Sequence, residues 1–129
     1  MTGSEWMDLA VLERKKYNYL NEVMDLSQQM GGVLDRNDEV SVKILLAMRE
    51  DPLLHLREVD QTEKKRREAL AEEDQERVTA LLAGAEPRNK DENIFQEQAG
   101  KARRLLERVV ELDRRLNLRI SGKDSFYRK

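Results

Sequence analysis

The chain contains one histidine, His55, which lies three residues before Glu58. On a helix, side chains three residues apart share a face, so this pair could offer an imidazole nitrogen and a carboxylate to one metal ion. A stable site needs further ligands in a fixed geometry, and a di-iron bundle would need two Glu-x-x-His motifs. We therefore expect no metal and no cofactor, and we interpret His55 as a residue at the surface or at the edge of a core.

Acidic residues are abundant, but abundance on charged helices does not identify a general acid. That role requires burial or a charged partner that shifts the pKa. The chain has no glycine-rich phosphate loop, nucleophile elbow or dinucleotide fingerprint. A helical mutase of the chorismate type would need several converging Arg and Lys, whereas the charged residues here fall at solvent-facing positions. The sequence predicts a protein that is not an enzyme and has no catalytic residues.

Basic residues form two groups, neither of which favours nucleic acid. The run 64–67 (Lys-Lys-Arg-Arg) is flanked by Glu63, Glu68, Glu72 and Glu73, which would neutralise a phosphate-binding surface. Residues 101–129 hold ten Lys/Arg against four Asp/Glu, a balance of +6 within a chain of net charge −2. We expect solvated helix faces and no nucleic-acid partner, with some steering of acidic partner surfaces by the basic end.

A heptad stripe runs through the first segment, at positions that alternate in steps of three and four. This spacing gives a long helix, from about residue 4 to 34, with one apolar seam. A lysine interrupts the stripe, although its aliphatic stem can lie along an apolar surface. The stripe comprises Leu9, Leu12, Lys16, Tyr19, Val23, Leu26, Met30 and Val33.

Two further long helices and one short helix are predicted. The second begins near Glu39 and meets Pro52, which either kinks it or divides it, because a ring inside a helix costs about 3 kcal/mol. A short helix around residues 78–82 ends at Gly84, a suitable C′ residue. The last long helix runs from about residue 91 to 120 and is expected to end at residues 121–122 (Ser-Gly). The apolar stripe of the second helix comprises Val42, Leu45, Leu46 and Met48, then Leu53, Leu56, Val59, Glu63, Arg67 and Leu70.

These elements predict an all-α protein, an antiparallel bundle of three long helices with a short extra helix. Six Gly and two Pro are too few for an all-β fold, and 39% hydrophobic residues suffice for a modest core. We expect a helical bundle domain at 1–122 and a short flexible C-terminal tail at 123–129.

No apolar run approaches the ~20 residues that span a bilayer. No signal-peptide pattern opens the chain, and cysteine is absent. The prediction is a cytoplasmic protein without membrane insertion.

The order of features resembles the FlgN-type flagellar export chaperones, which are small, cysteine-poor, helical bacterial proteins. The resemblance covers most of the chain. Its residues are Glu13, Tyr17, Leu20, Val23 and Leu26 in the first helix; Asp35 or Asp38 in the turn; Arg49, Glu50, Leu53, Leu54, Leu56, Val59 and Arg66 or Arg67 in the second helix; and Leu112, Leu116 and Asn117 in the last. The chain departs from the pattern in carrying Pro52 and in having a short tail.

The resemblance implies a cytoplasmic chaperone that binds the helical ends of hook-associated (filament-junction) subunits and keeps them unassembled before secretion. A groove formed by the last helix and the tail would bury the apolar face of the partner. The predicted partner-binding residues are Leu116, Leu118, Ile120, Phe126 and Tyr127. The two aromatics could instead fold back on the end of the bundle.

A different class of protein explains the heptads equally well. A structural or adaptor bundle could homodimerise as a coiled coil through the second helix, so the chain is expected to be a monomer or a homodimer. The sequence does not distinguish these alternatives.

Overall fold

The computed structural model describes the backbone of residues 1–127 and the side chains of residues 1–122. The described chain consists of four α-helices and contains no strand, which confirms the predicted all-α class. Three helices are long and one is short, as predicted. The helices are α1 (Gly3–Asp35), α2 (Glu39–Glu68), α3 (Glu72–Leu82) and α4 (Lys90–Tyr127).

A tight reversal joins α1 to α2. Asn37 adopts the left-handed conformation with φ 57°, in which the Asp38 N–H donates to the Val33 carbonyl at 3.0 Å. The Asp38 carboxylate then accepts from the backbone N–H of Ser41 and caps α2. Asn tolerates the left-handed region and Asp is a preferred N-cap, so both residues suit their positions. Since the connection is so short, α2 runs antiparallel to α1.

Helix α2 is continuous through Pro52, whose ring is buried. The sequence had left open a kink or a break, and the helix is not broken. The proline removes one backbone donor, but residues on either side of it are held by neighbouring helices. Arg49 reaches Asp113 of α4 at 2.6 Å, and Leu53 packs against the apolar cluster around Val23.

Helix α1 is the central element, because both α2 and α4 pack on it while the backbones of α2 and α4 have almost no contact. Asp91 at the start of α4 lies against Gly3 at the start of α1. At the far end Arg119 pairs with Asp35 at 2.6 Å. Helix α4 is therefore parallel to α1, and α2 is antiparallel to both. This order is consistent with the predicted antiparallel bundle.

The short helix α3 covers the end where α1 and α4 begin. Its Val78 and Leu81 are buried with Trp6 and Phe95, whose rings lie 5.5 Å apart. Gly84, with φ +102°, ends α3 as predicted: the Gly84 N–H donates to Leu81 O, and the following N–H to Ala80 O. These are the two hydrogen bonds of a Schellman cap.

A buried ion pair fixes α3 to the start of α4. Arg77 donates to both carboxylate oxygens of Glu92, whose side chain is 6% exposed, and also to the Glu86 carbonyl. The guanidinium holds the pKa of Glu92 below its usual range. The connection between α3 and α4 is thus tied at both ends.

The prediction that the last helix ends at Ser121 and Gly122 is wrong, because α4 continues through both residues to Tyr127. Serine and glycine weaken a helix interior by about 1 kcal/mol or less each, which does not force a break. A flexible tail at 123–129 stays a prediction. Residues 128 and 129 and the side chains from 123 onward lie outside the described part.

Candidate partner-binding groove

A groove of about 770 Å³ separates α2 from α4 near the α3 end of the molecule. Its floor is α1, with Glu13, Lys16 and Leu20, and the last residues of α3 close one end. At the other end the Arg49–Asp113 pair joins α2 to α4. One side of α1 is fully covered by neither α2 nor α4, and an open channel runs along that side.

Apolar side chains line much of this groove. Leu20 lies on the floor, Leu56 on the α2 side and Leu106 on the α4 side, where it is 48% exposed. On the α4 wall, the Arg104 side chain covers Gly100 and lies 3.1 Å from where a Cβ would be. Because hydrophobic surface is exposed along a concave channel, the groove suits an apolar ligand face.

A charged cluster, which we call the Lys16 cluster, forms the boundary between floor and α2 wall. The Lys16 ammonium lies 2.8 Å from Glu63, 3.2 Å from Glu13 and 3.4 Å from Asp60. The Glu13 and Glu63 side chains are only 5% and 10% exposed, whereas Asp60 is at the surface. One ammonium therefore serves three carboxylates, two of them buried.

The excess of carboxylates changes the protonation of the cluster. Burial, together with the neighbouring Glu63, raises the pKa of Glu13 to about 7, although Lys16 opposes the rise. Burial acts to lower the pKa of Lys16, but attraction to Glu13 and Glu63 outweighs it and the pKa is raised. Lys16 thus stays charged, and Glu13 gains or loses its proton near neutral pH.

The contact between Lys16 and Glu63 is an ion pair without good hydrogen-bond alignment. The distance is short, yet the buried Oε2 atom of Glu63 accepts no hydrogen bond of acceptable geometry. This oxygen is enclosed by protein, and its charged neighbour is the Lys16 ammonium.

The α4 wall of the groove carries charges of both signs. Lys101, Arg103 and Arg104 of α4 line the groove, and Arg103 also donates to the Leu82 carbonyl at 3.4 Å. Glu97 of α4 also lines the groove, so the charged lining holds four cations, counting Lys16, and four carboxylates.

The predicted partner-binding residues lie at the other end of α4. Leu116 is 1% exposed and belongs to the core with Met30 and Leu45. Ile120 is half-buried against the same cluster, whereas Leu118 is 62% exposed. The side chains of Phe126 and Tyr127 lie outside the described residues. Of the five residues, Leu118 alone is shown to be exposed, and partner binding by this set stays a prediction.

A second apolar surface lies on the first half of α2. Val40, Ile44 and Met48 follow one another at four-residue steps and are 69%, 55% and 52% exposed. The sequence had placed Met48 and Leu46 in the inward stripe, but both are exposed because Val42, Leu45 and Arg49 take the core positions.

His55 occupies the boundary position that the sequence indicated. Its ring stacks on Tyr19 with centroids 5.0 Å apart, and Asp51 and Glu58 lie 3.5 and 3.4 Å from its nitrogens. Across the described side chains, no three potential metal-ligating residues come together.

The Lys16 cluster was not predicted as a site from the sequence. The sequence nevertheless contained a pattern that indicates it, because Lys16 and Glu63 are charged residues at apolar-stripe positions of two different helices. When two such helices pack side by side, opposite charges at these positions can form an ion pair.

Comparison with models of protein families, with curated proteins and with solved structures found no match for this chain. Within residues 1–127, none of the helices combines the length and apolar character needed to cross a membrane.

Proposed function

We propose that this protein is a non-enzymatic binding module that holds a helix of a partner protein in the groove between α2 and α4. The observation that carries the proposal is the open channel itself, which is lined by the half-buried Leu56 of α2 and the exposed Leu106 of α4. Two turns of an α-helix, with a diameter of about 10 Å and a pitch of 5.4 Å, occupy roughly 850 Å³. The groove volume is of that size, and an added helix would complete a four-helix bundle.

The more specific proposal is a cytoplasmic flagellar export chaperone whose partners are hook-associated subunits. The resemblance to FlgN-type proteins supports it, and three of the residues that carry the resemblance, Glu13, Leu20 and Leu56, line the groove. A subunit whose amphipathic helical end is covered in this way would be kept from assembling early. The exposed Leu118 supports a second contact at the far end of α4.

The test is direct binding between purified proteins. Hook-associated subunits from the same genome are titrated into the full chain by calorimetry, with filament subunits from that genome as the control. The proposal expects one-to-one binding of a hook-associated subunit that is lost when its terminal helix is removed. Absence of binding to every such subunit would refute the flagellar assignment.

A structural homodimer is the second candidate, and the exposed Val40, Ile44 and Met48 row on α2 favours it. Such a row could pair with a second copy as a coiled coil. This alternative predicts a dimer whose melting temperature rises with protein concentration. Light scattering after size-exclusion chromatography decides between it and a monomeric binding module.

A further inference from the structure

The last turns of α2 carry no apolar side chain. Residues 60–68 read Asp-Gln-Thr-Glu-Lys-Lys-Arg-Arg-Glu, and we call this segment the strap. The first half of α2 contributes Val42 and Leu45 to an apolar cluster, whereas the strap has a single buried side chain, that of Glu63. Because burial of apolar surface is the main source of stability, the strap should be held more weakly than the rest of its helix.

Ion pairs hold the strap against α1 at two places. The Lys16 ammonium lies 2.8 Å from Glu63 and 3.4 Å from Asp60. Nearer the start of α1, Asp8 lies 3.0 Å from Arg66, and both side chains are about half exposed. Exposed ion pairs contribute little to stability and are weakened further by salt. The attachment of the strap to α1 is therefore ionic and depends on the solvent.

The strap is also loosely packed, because it separates two cavities. Asp60 and Glu63 line the groove of about 770 Å³. The same two residues line a second cavity of about 330 Å³, together with Lys64, Arg67 and Gln75 among others. A segment with open space on both sides and few apolar contacts opens at a lower free energy than a packed core element does.

We propose that the strap opens away from α1 while the rest of the bundle stays folded, with Val59 and Leu70 as its fixed ends. Val59 is buried, and Leu70 packs against the apolar cluster around Trp6. Opening joins the two cavities and exposes the floor of the groove. The inference goes beyond the proposed function, because it does not depend on which partner the groove binds.

An apolar residue of α1 lies beneath the strap. Asp8, Leu12 and Lys16 follow one another at four-residue steps and so share one face of α1. The two charged residues contact the strap on either side of Leu12, which is only 6% exposed. Opening of the strap therefore exposes Leu12 to water, and this exposure can be measured.

The strap should open more often as the pH rises through 7. Burial and the neighbouring Glu63 raise the pKa of Glu13 to about 7. Below this pH the Lys16 ammonium balances Glu63 alone, whereas above it two buried carboxylates share the ammonium. The stabilisation from the protonated Glu13 is then lost, which favours the open form. The other charged groups that line the same groove are Asp60 of α2 and Glu97, Lys101, Arg103 and Arg104 of α4.

The first test measures the accessibility of Leu12. The chain has no cysteine, so Leu12→Cys carries a single thiol, and Val23→Cys is the matched control in the core of the same helix. The reaction of each folded variant with a chromogenic disulfide is followed, with correction for the thiolate fraction at each pH. Each rate is compared with the rate expected from global unfolding, taken from the urea-measured stability of the same variant. We expect Leu12→Cys to react at least about tenfold faster than global unfolding allows, and Val23→Cys to react at the global rate.

The second test breaks the ion pairs in the Leu12→Cys background. Asp8→Asn and Lys16→Met should each speed labelling at least about threefold at pH 8. The matched control is Lys15→Met, which changes an exposed lysine beside Lys16 and should leave the rate unchanged. Raising the NaCl concentration from about 0.05 M to about 1 M should also speed labelling, since salt screens the exposed pairs.

Hydrogen exchange of the same proteins distinguishes opening of the strap from loosening of the whole bundle. Amides of the strap should exchange faster than those of residues 42–50, and Lys16→Met should widen the difference. Labelling of Leu12→Cys only at the global rate would overturn the inference. So would equal effects of Lys15→Met and Lys16→Met, or a rise in exchange that is the same in both segments of α2.

Discussion

At the scale of single residues, the feature that most affects behaviour is the pair of buried glutamates around Lys16. Glu13 and Glu63 are nine-tenths or more buried by side chain and share one ammonium. Buried ion clusters of this kind contribute little net stability and often serve specificity instead. Here burial raises the pKa of Glu13, so the stability of the protein depends on pH near neutrality.

The stability of the wild type should fall as the pH rises from about 5 to 8. The folded-state pKa of Glu13 is raised to about 7, whereas an unfolded glutamate titrates near its model value of 4.5. The folded state thus binds the extra proton, and the stabilisation is lost as the pH passes through 7. A shift of this size corresponds to about 2 to 3 kcal/mol after allowance for coupling to Glu63. Lys16 stays charged throughout this window.

Urea unfolding at pH 5 and pH 8 measures this effect. Glu13→Gln mimics the protonated form, so it should match the wild type at pH 5, exceed it at pH 8 and show a flat profile. An unchanged free energy of unfolding for the wild type across this range would show that Glu13 titrates normally.

The sequence permitted part of this site to be anticipated. It placed Lys16 and Glu63 on the apolar stripes of two helices, but the expectation that the charged residues face solvent is wrong, because Glu13, Arg49, Glu63 and Glu92 are buried where helices pack together. It did not place them together, because the axial register of α1 against α2 depends on how the whole interface packs. Glu13 lies one position from the stripe residue Leu12, and its burial arises because α1 has neighbours on two sides.

At the scale of secondary-structure elements, the helix ends are set by local chemistry that the sequence partly reveals. Gly84 was expected as a C′ residue and adopts φ +102° there. The end of α4 was misjudged at Gly122, since a glycine stops a helix only where tertiary contacts or a left-handed turn require it. Pro52 shows the opposite case, in which packing on both sides keeps a helix continuous through a proline.

Two glycine substitutions should have opposite effects on stability. Gly31→Ala places a methyl group in open space inside α1 and should stabilise the protein by about 0.5 to 1 kcal/mol. Gly84→Ala also meets no atom, but its left-handed backbone disfavours a Cβ and should cost about 1 to 2 kcal/mol. Thermal unfolding by circular dichroism measures both. A stabilising Gly84→Ala would show that α3 does not end in the left-handed turn.

At the scale of the whole molecule, the arrangement is that of three long helices with room for a fourth. Both α2 and α4 pack on α1, yet their backbones stay apart near α3, where the groove lies. The all-α class and the number of helices could be predicted from heptad spacing. The groove could not, because it depends on the angle between α2 and α4, and no residue pattern specifies that angle.

The central claim is that a partner helix lies in this groove, and a matched pair of variants tests it most directly. Leu106 and Val110 lie on adjacent turns of α4 and are 48% and 57% exposed, but only Leu106 lines the groove. Leu106→Glu and Val110→Glu should fold equally well by circular dichroism, because both side chains are already half in water.

The measurement is the affinity of each variant for a hook-associated subunit, by calorimetry. We predict that Leu106→Glu weakens binding at least tenfold, about 1.4 kcal/mol, since a carboxylate would be buried against the leucines of the partner. Val110→Glu should bind as the wild type does. Equal affinities for the two variants, or a loss confined to Val110→Glu, would contradict the placement of the partner in the groove.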